Sequence, residues 1–271
     1  MRRYVGFAVL WLILCTDAIA DPFIFAAAPM ANVQASDSMH IPIATYLTQS
    51  TGHEFVYKRS ADWASYLRDM RQDRYDLVFD GPQFISWRTE HLHHTPLARL
   101  PGSLDFVVVA RRDNQKVAQL LDLAGYPVCS RQPPLVDTLV LQAQFGNPYR
   151  QPVLTLTDGH GEAYSGLLEG RCLAAILPIR SYSGHVNRTT TRILFQSRPL
   201  PQYGFSASRR LPSALQTQIA KALLDVGGAT VTRALRELHF QADPLVPTNR
   251  GEYANIHRLL VDTWGFGAIV R

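Results

Sequence analysis

Three stretches combine residues whose side chains could do chemistry. YDLVFDGPQF, residues 75–84, runs an apolar strand into Asp80-Gly81-Pro82. Those three residue types make turns for backbone reasons, but at the carboxyl end of a strand they also put a carboxylate where open α/β sheets meet ligands. There Asp80 would accept hydrogen bonds from a ligand hydroxyl or amine. TDGHGEAYS, residues 157–165, holds His160 with Tyr164 one helical turn later. A helix beginning at His160 would set its positive dipole end beside the ring and favour the neutral imidazole. Ser165 is close in sequence, but there is no Gly-x-Ser-x-Gly elbow and no placed third member. Asp158 and Glu162 flank the histidine without a defined pairing, so binding is read here, not catalysis, and the chain is not read as an enzyme. HLHH, residues 91–94, suggests a metal, yet no Cys, Asp or further His accompanies it at ligand spacing. It is read as a solvated loop, and neither metal nor cofactor is expected.

The elements that must position these residues alternate between short apolar strands and amphipathic helices. PFIFAAA at 22–28 reads as a strand followed by the loop 29–37, whose Met30, Asn32 and Gln34 should line the same wall as Asp80. A helix is expected from about Ser38 to Thr51, with Pro42 tolerated near its first turn and Gly52 ending it. Then come strand 54–58, a helix capped by Ser60 or Asp62 and running to about Arg71, and the strand ending at Asp80. Two β-α units followed by a strand imply parallel pairing with helical crossovers. A long strand, LDFVVVA at 104–110, and a helix at 117–123 lead into a second such set. Its members are YPVCS, a helix 136–145, VLTLT at 153–157, a helix 161–169 and CLAAILP at 172–178. Strands 192–196 and 203–208 return, and two or three helices close the chain, one at 213–226. Trp63 and Trp87 are read as packing residues. The pattern is an α/β fold of two lobes, each a mostly parallel sheet flanked by helices. Residues 21–103 with 205–271 form lobe I and the inserted residues 104–204 form lobe II. Two crossings join them beside a cleft, the architecture of hinged closure on a ligand.

Residues 1–20 read as an export signal. Arg2 and Arg3 precede an apolar run from Val5 to Leu14, and Ala18-Ile19-Ala20 supplies the small residues of a cleavage site. Cleavage after Ala20 sends the chain to the periplasm. A lipoprotein signal at Cys15 is the rival, and Leu14 before it is not the small residue such signals want. Of 271 residues, 251 would remain, with a formal charge of +4. The arginines are scattered, so nucleic acid is excluded as a partner. Cys129 and Cys172 are read as lying one near a strand's end and the other near a parallel strand's beginning, too far apart for a bridge, and are expected to be two buried thiols.

Four segments carry a resemblance. IATYLTQSTGHEFVYKRSADWASYLRDMRQDRYDLVFDGPQF is similar to a helix, strand, helix and Asp-x-x-Phe-x-Gly-Pro run; FVVVARRDN resembles a crossing strand and turn. RILFQSRPLPQYGFSASRRLP resembles a returning Ser-x-x-x-Pro segment, and PLVPTNRGEYANIHRLL a C-terminal segment with its tyrosine. Together they resemble the periplasmic solute-binding proteins of phosphate, phosphite and phosphonate (PhnD-like) transporters. The resemblance implies the type 2 periplasmic binding protein fold, a monomer without cofactor, and delivery of a small-molecule ligand to an inner-membrane transporter. A membrane sensor kinase is the alternative partner.

In that family an oxyanion rests on backbone N–H groups and hydroxyls at a helix N-terminus of the second lobe. The matching loop here is Ser130 to Thr138, and His160 matches a family histidine. The candidate ligand-binding set is therefore Met30, Asn32, Asp80, Gly81, Pro82, Gln132, Asp137, Thr138, His160 and Tyr164. Pro133 and Pro134 offer no N–H, Asp137 repels anions, and Leu173 stands where the family has an acid. Two ligand classes follow: a phosphonate- or phosphite-like oxyanion, as the resemblance implies, or a neutral, apolar or lipid-like molecule. The second would use the prolines, Leu135, Val136, Leu173 and Phe84 as a less polar wall.

Overall fold

Strand residues that alternate between two buried faces explain the core. In β1 (Phe23–Ala27) and β3 (Leu77–Asp80), Phe25, Leu77 and Phe79 face one way, and Ala26 and Val78 the other. A sheet buried on both faces needs helices on both. One face packs on α1 (Val33–Thr51), α7 (Ser213–Leu224) and α8 (Ala229–Arg236) through Met39, Ile43, Leu47, Ile219 and Leu235. The other packs on α2 (Trp63–Arg71) and α3 (Pro82–His91) through Tyr66, Met70 and Phe84. The computed structural model describes residues 21–30, 32–185, 189–225, 228–236, 243–263 and 265–266. The signal read at residues 1–20 lies outside them.

The first sheet also contains β2 (Phe55–Tyr57), β4 (Thr95–Arg99), β12 (Gly204–Ala207) and β13 (Val246–Pro247), in the order β13-β4-β12-β3-β1-β2. As the β-α units require, β1 runs parallel to β2 and β3. The second sheet contains β6 (Phe106–Arg111), β7 (Pro127–Ser130), β8 (Val153–Leu156), β9 (Ala174–Pro178) and β10 (Thr191–Gln196), in the order β10-β6-β9-β7-β8. Here β7 is parallel to β8 and β9, while β6 is antiparallel to β9 and β10. It too is covered on both faces. Val136 and Val140 of α4 (Val136–Gln142) pack on one side, and Ala163 and Leu167 of α5 (His160–Leu168) on the other. Helix α6 (Ile179–His185) follows β9 directly. The two crossings between the sheets pair as a short antiparallel ribbon, β5 (Ser103–Leu104) with β11 (Leu200–Pro201). Among the described residues no helix is long and apolar enough to cross a membrane.

Several boundaries differ from the sequence reading, each for a local reason. Helix α1 begins at Val33, five residues before Ser38, because Asn32 caps it by accepting the Ala35 N–H at 3.0 Å. Pro42 is thus inside the helix, and Gln34 is helical and exposed, not a loop residue. At its other end Gly52, with φ +72°, closes the helix on the Thr48 carbonyl as expected. The turn at Asp80-Gly81-Pro82 starts a helix: Gly81 is the N-cap of α3 and Pro82 its first residue, where the missing N–H costs nothing. The helix expected at 117–123 is only a 3-10 turn, Leu120–Leu123, set by reciprocal bonds between Gln119 and Asp122.

The cysteines do not remain as two thiols. Cys129 and Cys172 are bridged, with Cα atoms 5.6 Å apart. Cys172 is not in the strand, which starts at Ala174. The N–H groups of Arg171 and Cys172 turn back to the Gly166 carbonyl, which tucks Cys172 beneath α5 beside Cys129. Gly166 leaves the room for this, since a Cβ there would lie 2.8 Å from Cys129 Sγ.

Candidate functional site: the cleft between the sheets

The carboxyl ends of β1, β3, β7 and β8 converge on two cavities. One, of about 530 Å3, is walled by Met30, His40, Trp63, Phe79, Asp80, Gln132, Leu135 and Leu156 among others. The second, of about 610 Å3, is walled by Asp105, Val136, His160, Arg180 and Gln202, and reaches the ribbon at Ser103 and Leu104. Arg131, Asp158 and Tyr203 belong to both walls.

Two charged networks fix the walls. On the first-sheet side, Arg88 reaches from α3 to bond Asp80 Oδ2 through NH1 at 2.5 Å, and Tyr66 donates to the same oxygen at 2.5 Å. Arg88 NH2 closes the triangle by donating to the Tyr66 hydroxyl at 2.8 Å. No member is more than 1% exposed. Burial works against the Arg88 charge, but Asp80 and Tyr66 more than offset it and raise its pKa. Asp80 Oδ1 has no partner among the described residues.

On the second-sheet side, Asp137 Oδ2 accepts from Arg131 Nε at 2.7 Å and from His160 Nε2 at 2.9 Å. Burial alone would raise the Asp137 pKa. The bonds from His160 and Arg131 win and hold it well below the usual carboxylate range. Thr138 Oγ1 donates to the Arg131 carbonyl, fixing the same residue through its backbone. Burial works against Arg131's charge too, but the Asp137 and Tyr203 side chains keep the guanidinium firmly protonated. Its Nε is spent on Asp137, and the Tyr203 side chain also bonds the guanidinium, which lines both cavities.

His40 lines the smaller cavity as a neutral ring. Burial lowers its pKa to about 4, against the bond to Ser36 and the charge of Asp37. Its Nδ1 lies 2.8 Å from the Ser36 carbonyl and is therefore the protonated nitrogen, which leaves Nε2 as an acceptor. The ring stacks on Tyr57 at 4.8 Å. Across the cleft, Gln83 Nε2 donates to the Pro134 carbonyl at 3.0 Å, tying α3 to the loop before α4.

Of the candidate set, Met30, Asp80 and Gln132 stand on the smaller cavity's wall and His160 on the larger one's. The others have structural duties. Asn32 caps α1, Gly81 and Pro82 start α3, and Thr138 is fully buried on the Arg131 carbonyl. Asp137 is fully buried behind Arg131 and His160 and is on neither wall. Tyr164 packs under α5 on the second sheet, away from both cavities. Phe84 is likewise a core residue and Leu173 packs half-buried against the second sheet's core, whereas Leu135 and Val136 do reach the cleft.

The histidine loop is not a solvated surface throughout. His94 is 1% exposed and bonds Asp73 at 3.1 Å, and His91 stacks on Trp87 at 4.6 Å. No group of three metal-ligating side chains occurs among the described residues. Sequence reasoning missed Arg131, Tyr203, Trp63 and His40. Arg131 had a legible signal, because it is the first charged residue after β7, as Asp80 is the last residue of β3.

A family model described as an ABC transporter, phosphonate, periplasmic substrate-binding protein matches residues 25–253. Among solved structures, the chain is similar to a Xanthomonas citri protein bound to ATP, at 11% identity and TM-score 0.68, with 89% of this chain and 96% of that one covered. PhnD1 from Prochlorococcus marinus in complex with methylphosphonate gives 12% identity and TM-score 0.62, covering 88% and 96%. A binding protein component of an ABC phosphonate transporter from Pseudomonas aeruginosa gives 14% identity and 0.61, covering 89% and 86%. No curated protein matches. At these identities the structures show a shared fold, two lobes of the type 2 periplasmic class.

Proposed function

We propose, from the premise that this chain belongs to the periplasmic substrate-binding family of phosphonate ABC transporters, that it binds an organic phosphonate-type anion. The protein closes on that anion and delivers it to an inner-membrane transporter. The observation that supports this reading is Arg131. Its guanidinium is clamped at Nε by Asp137 and stands on the shared wall of both cavities. A preset guanidinium fork suits a tetrahedral oxyanion, giving charge-assisted bonds of roughly 1.5–3 kcal/mol each. Arg131 takes the place of the hydroxyl-rich helix terminus that Pro133 and Pro134 remove. His160, held by the same carboxylate, flanks the anion in the larger cavity.

A neutral or lipid-like ligand fits less well. It would bury the Arg131 charge with only Asp137 and Tyr203 to accept from it and no anion to balance it in the cleft, whereas hydrogen bonds to a charged group are worth roughly 1.5–3 kcal/mol. Met30, Phe79, Leu135 and Leu156 instead suit the organic substituent of the anion. The ribbon β5–β11 supplies the hinge, with lobe I taken as 21–103 plus 205–271 and lobe II as 104–204. The exported chain is read as beginning at Asp21.

Titration calorimetry of residues 21–271 with phosphate, phosphite, methylphosphonate and a neutral sugar tests this. Binding of methylphosphonate that Arg131→Met weakens at least about tenfold is the expected result. Full affinity in Arg131→Met, or binding of no phosphonate at all, overturns the reading.

A further inference from the structure

A third cavity, of about 450 Å3, lies outside the cleft, and none of its wall residues belongs to either cleft cavity. Three segments build it. Helix α4 and the turn after it supply Val140 and Gln144, and the chain from β10 into the ribbon supplies Phe195, Arg198 and Leu200. The 3-10 turn Ile256–Leu260 supplies Ile256 and Leu259. That turn packs on α3 from the first sheet's layers and on α4 from the second's, so the cavity sits at a junction of the two. Asn255 shapes it from the C-terminal side. With φ at +64°, a left-handed conformation that asparagine tolerates, it breaks the chain between the turns Arg250–Tyr253 and Ile256–Leu260.

The lining combines a broad apolar surface with one charge. Val140, Phe195, Leu200, Ile256 and Leu259 form the apolar part. Gln144 spends its Nε2 on the Val140 carbonyl at 2.9 Å, which leaves its Oε1 as an acceptor. The charge is Arg198, and its backbone is fixed. Ser197 Oγ accepts from the Phe106 N–H at 2.9 Å and donates to the Arg198 carbonyl at 3.0 Å, while the Ser197 N–H returns to the Phe106 carbonyl. No carboxylate forms an ion pair with Arg198 among the described residues. Glu252, the acid of the neighbouring 3-10 turn, is already taken by Arg99 at 2.6 Å. A guanidinium held beside an apolar cavity without a countercharge asks for an anion that carries an apolar body.

We propose that this cavity is a separate binding site for an amphipathic monocarboxylate, whose headgroup lies on Arg198 and whose hydrocarbon body lies between Phe195, Leu200, Ile256 and Leu259. The planar guanidinium fork matches a carboxylate through two parallel charge-assisted bonds. One cation on the wall suits one negative charge, which sets this ligand apart from a doubly charged phosphonate. The volume falls within the range of pockets that hold organic molecules, about 300–1,000 Å3. Burial of the hydrocarbon supplies roughly 0.8 kcal/mol per CH2 before the costs of association. The site does not depend on what the cleft binds.

Calorimetry with octanoate and the neutral octanol as probes tests the site. Octanoate should bind the wild type with a Kd below about 1 mM, and at least about tenfold more tightly than octanol. Arg198→Met should remove that difference and leave methylphosphonate affinity within about twofold. Ala254→Trp, which fills the cavity from an exposed wall position, should abolish octanoate binding. Arg131→Met, which changes only the cleft, should keep octanoate within about twofold. No binding of octanoate by the wild type, or equal affinities for octanoate and octanol, overturns the site. Loss of octanoate in Arg131→Met with full affinity in Arg198→Met puts the probe in the cleft and overturns it as well. Octanoate binding without methylphosphonate binding overturns the anion reading alone and leaves this site in place.

Discussion

Arg88 and Asp80 meet at 2.5 Å with side-chain exposures of 1% and 0%, so the carboxylate that ends β3 has its own cation eight residues on. The pair joins the sheet to α3 and aims the start of that helix at the cleft. Breaking a buried pair strands the remaining charge, at a cost of about 3–5 kcal/mol. Asp80→Ala and Arg88→Met should each lose stability of that order in urea unfolding. The double variant Asp80→Leu, Arg88→Met should regain most of it. Single variants within ~0.5 kcal/mol of wild type would mean that the pair does not hold this corner.

Asp137 sits behind Arg131 and carries the wrong charge for an anion site, so its two effects oppose each other. Removing the charge would make the cleft more positive. Removing the clamp on Arg131 Nε and His160 Nε2 would free both side chains. A charge-assisted bond is worth roughly 1.5–3 kcal/mol, so loss of position should win. Asp137→Ala should then weaken methylphosphonate by roughly tenfold or more. Tighter binding in calorimetry would show that repulsion dominates.

His40 should make stability pH-dependent. Its folded pKa of about 4 lies below the ordinary histidine value of about 6.5, so the unfolded chain binds the extra proton between those values. Stability from the neutral ring is therefore complete above about pH 6.5 and lost as pH falls toward 4. A gap of that size corresponds to as much as ~3 kcal/mol. Thermal midpoints of wild type should decline across that window more steeply than those of His40→Gln. Parallel curves would assign the decline to other groups, His94 first, since burial lowers its pKa as well.

The Cys129–Cys172 bridge closes a segment with a sequence separation of 43, for which loop entropy predicts roughly 4 kcal/mol and experience about 2–4. Cys129→Ala with Cys172→Ala should lower stability by that order. Cys129 is two residues before Arg131, so the variant should also weaken anion binding. Stability equal to wild type under oxidising conditions would argue against the bridge.

Much of the frame was legible because burial on both sheet faces leaves a strong trace. Continuous apolar strands between periodic helices are hard to mistake, and the parallel pairing of β1 with β2 and β3 followed from them. The cleft-side strand ends were legible for the same reason. What the side chains do there was not. Asp80 looked like a group waiting for a ligand, and nothing local showed that Arg88, one strand-to-helix turn away, would occupy half of it. Asp137 and Thr138 have the residue types of ligand contacts, yet they bond Arg131 from behind, through its Nε and its carbonyl. Arg131, a lone arginine in a proline-rich loop, has no periodicity to mark it and is signalled only by its place directly after β7. The bridge is not legible because the apolar run from Cys172 into β9 reads as one strand, while the strand starts only at Ala174.

Pro133 and Pro134 withhold N–H groups from the cleft, but the Pro134 carbonyl takes the Gln83 amide from the opposite lobe. A proline can only accept at its backbone. The seam between the lobes therefore has a fixed polarity at this point, with a donor supplied by α3 and an acceptor by the loop before α4. Gln83 and Arg88 share one helix, so the residue that touches the far lobe and the residue that holds Asp80 move as a single rigid piece. The loop that is too dry to cradle an anion is thus a keyed contact, and its position is reported directly to the end of β3.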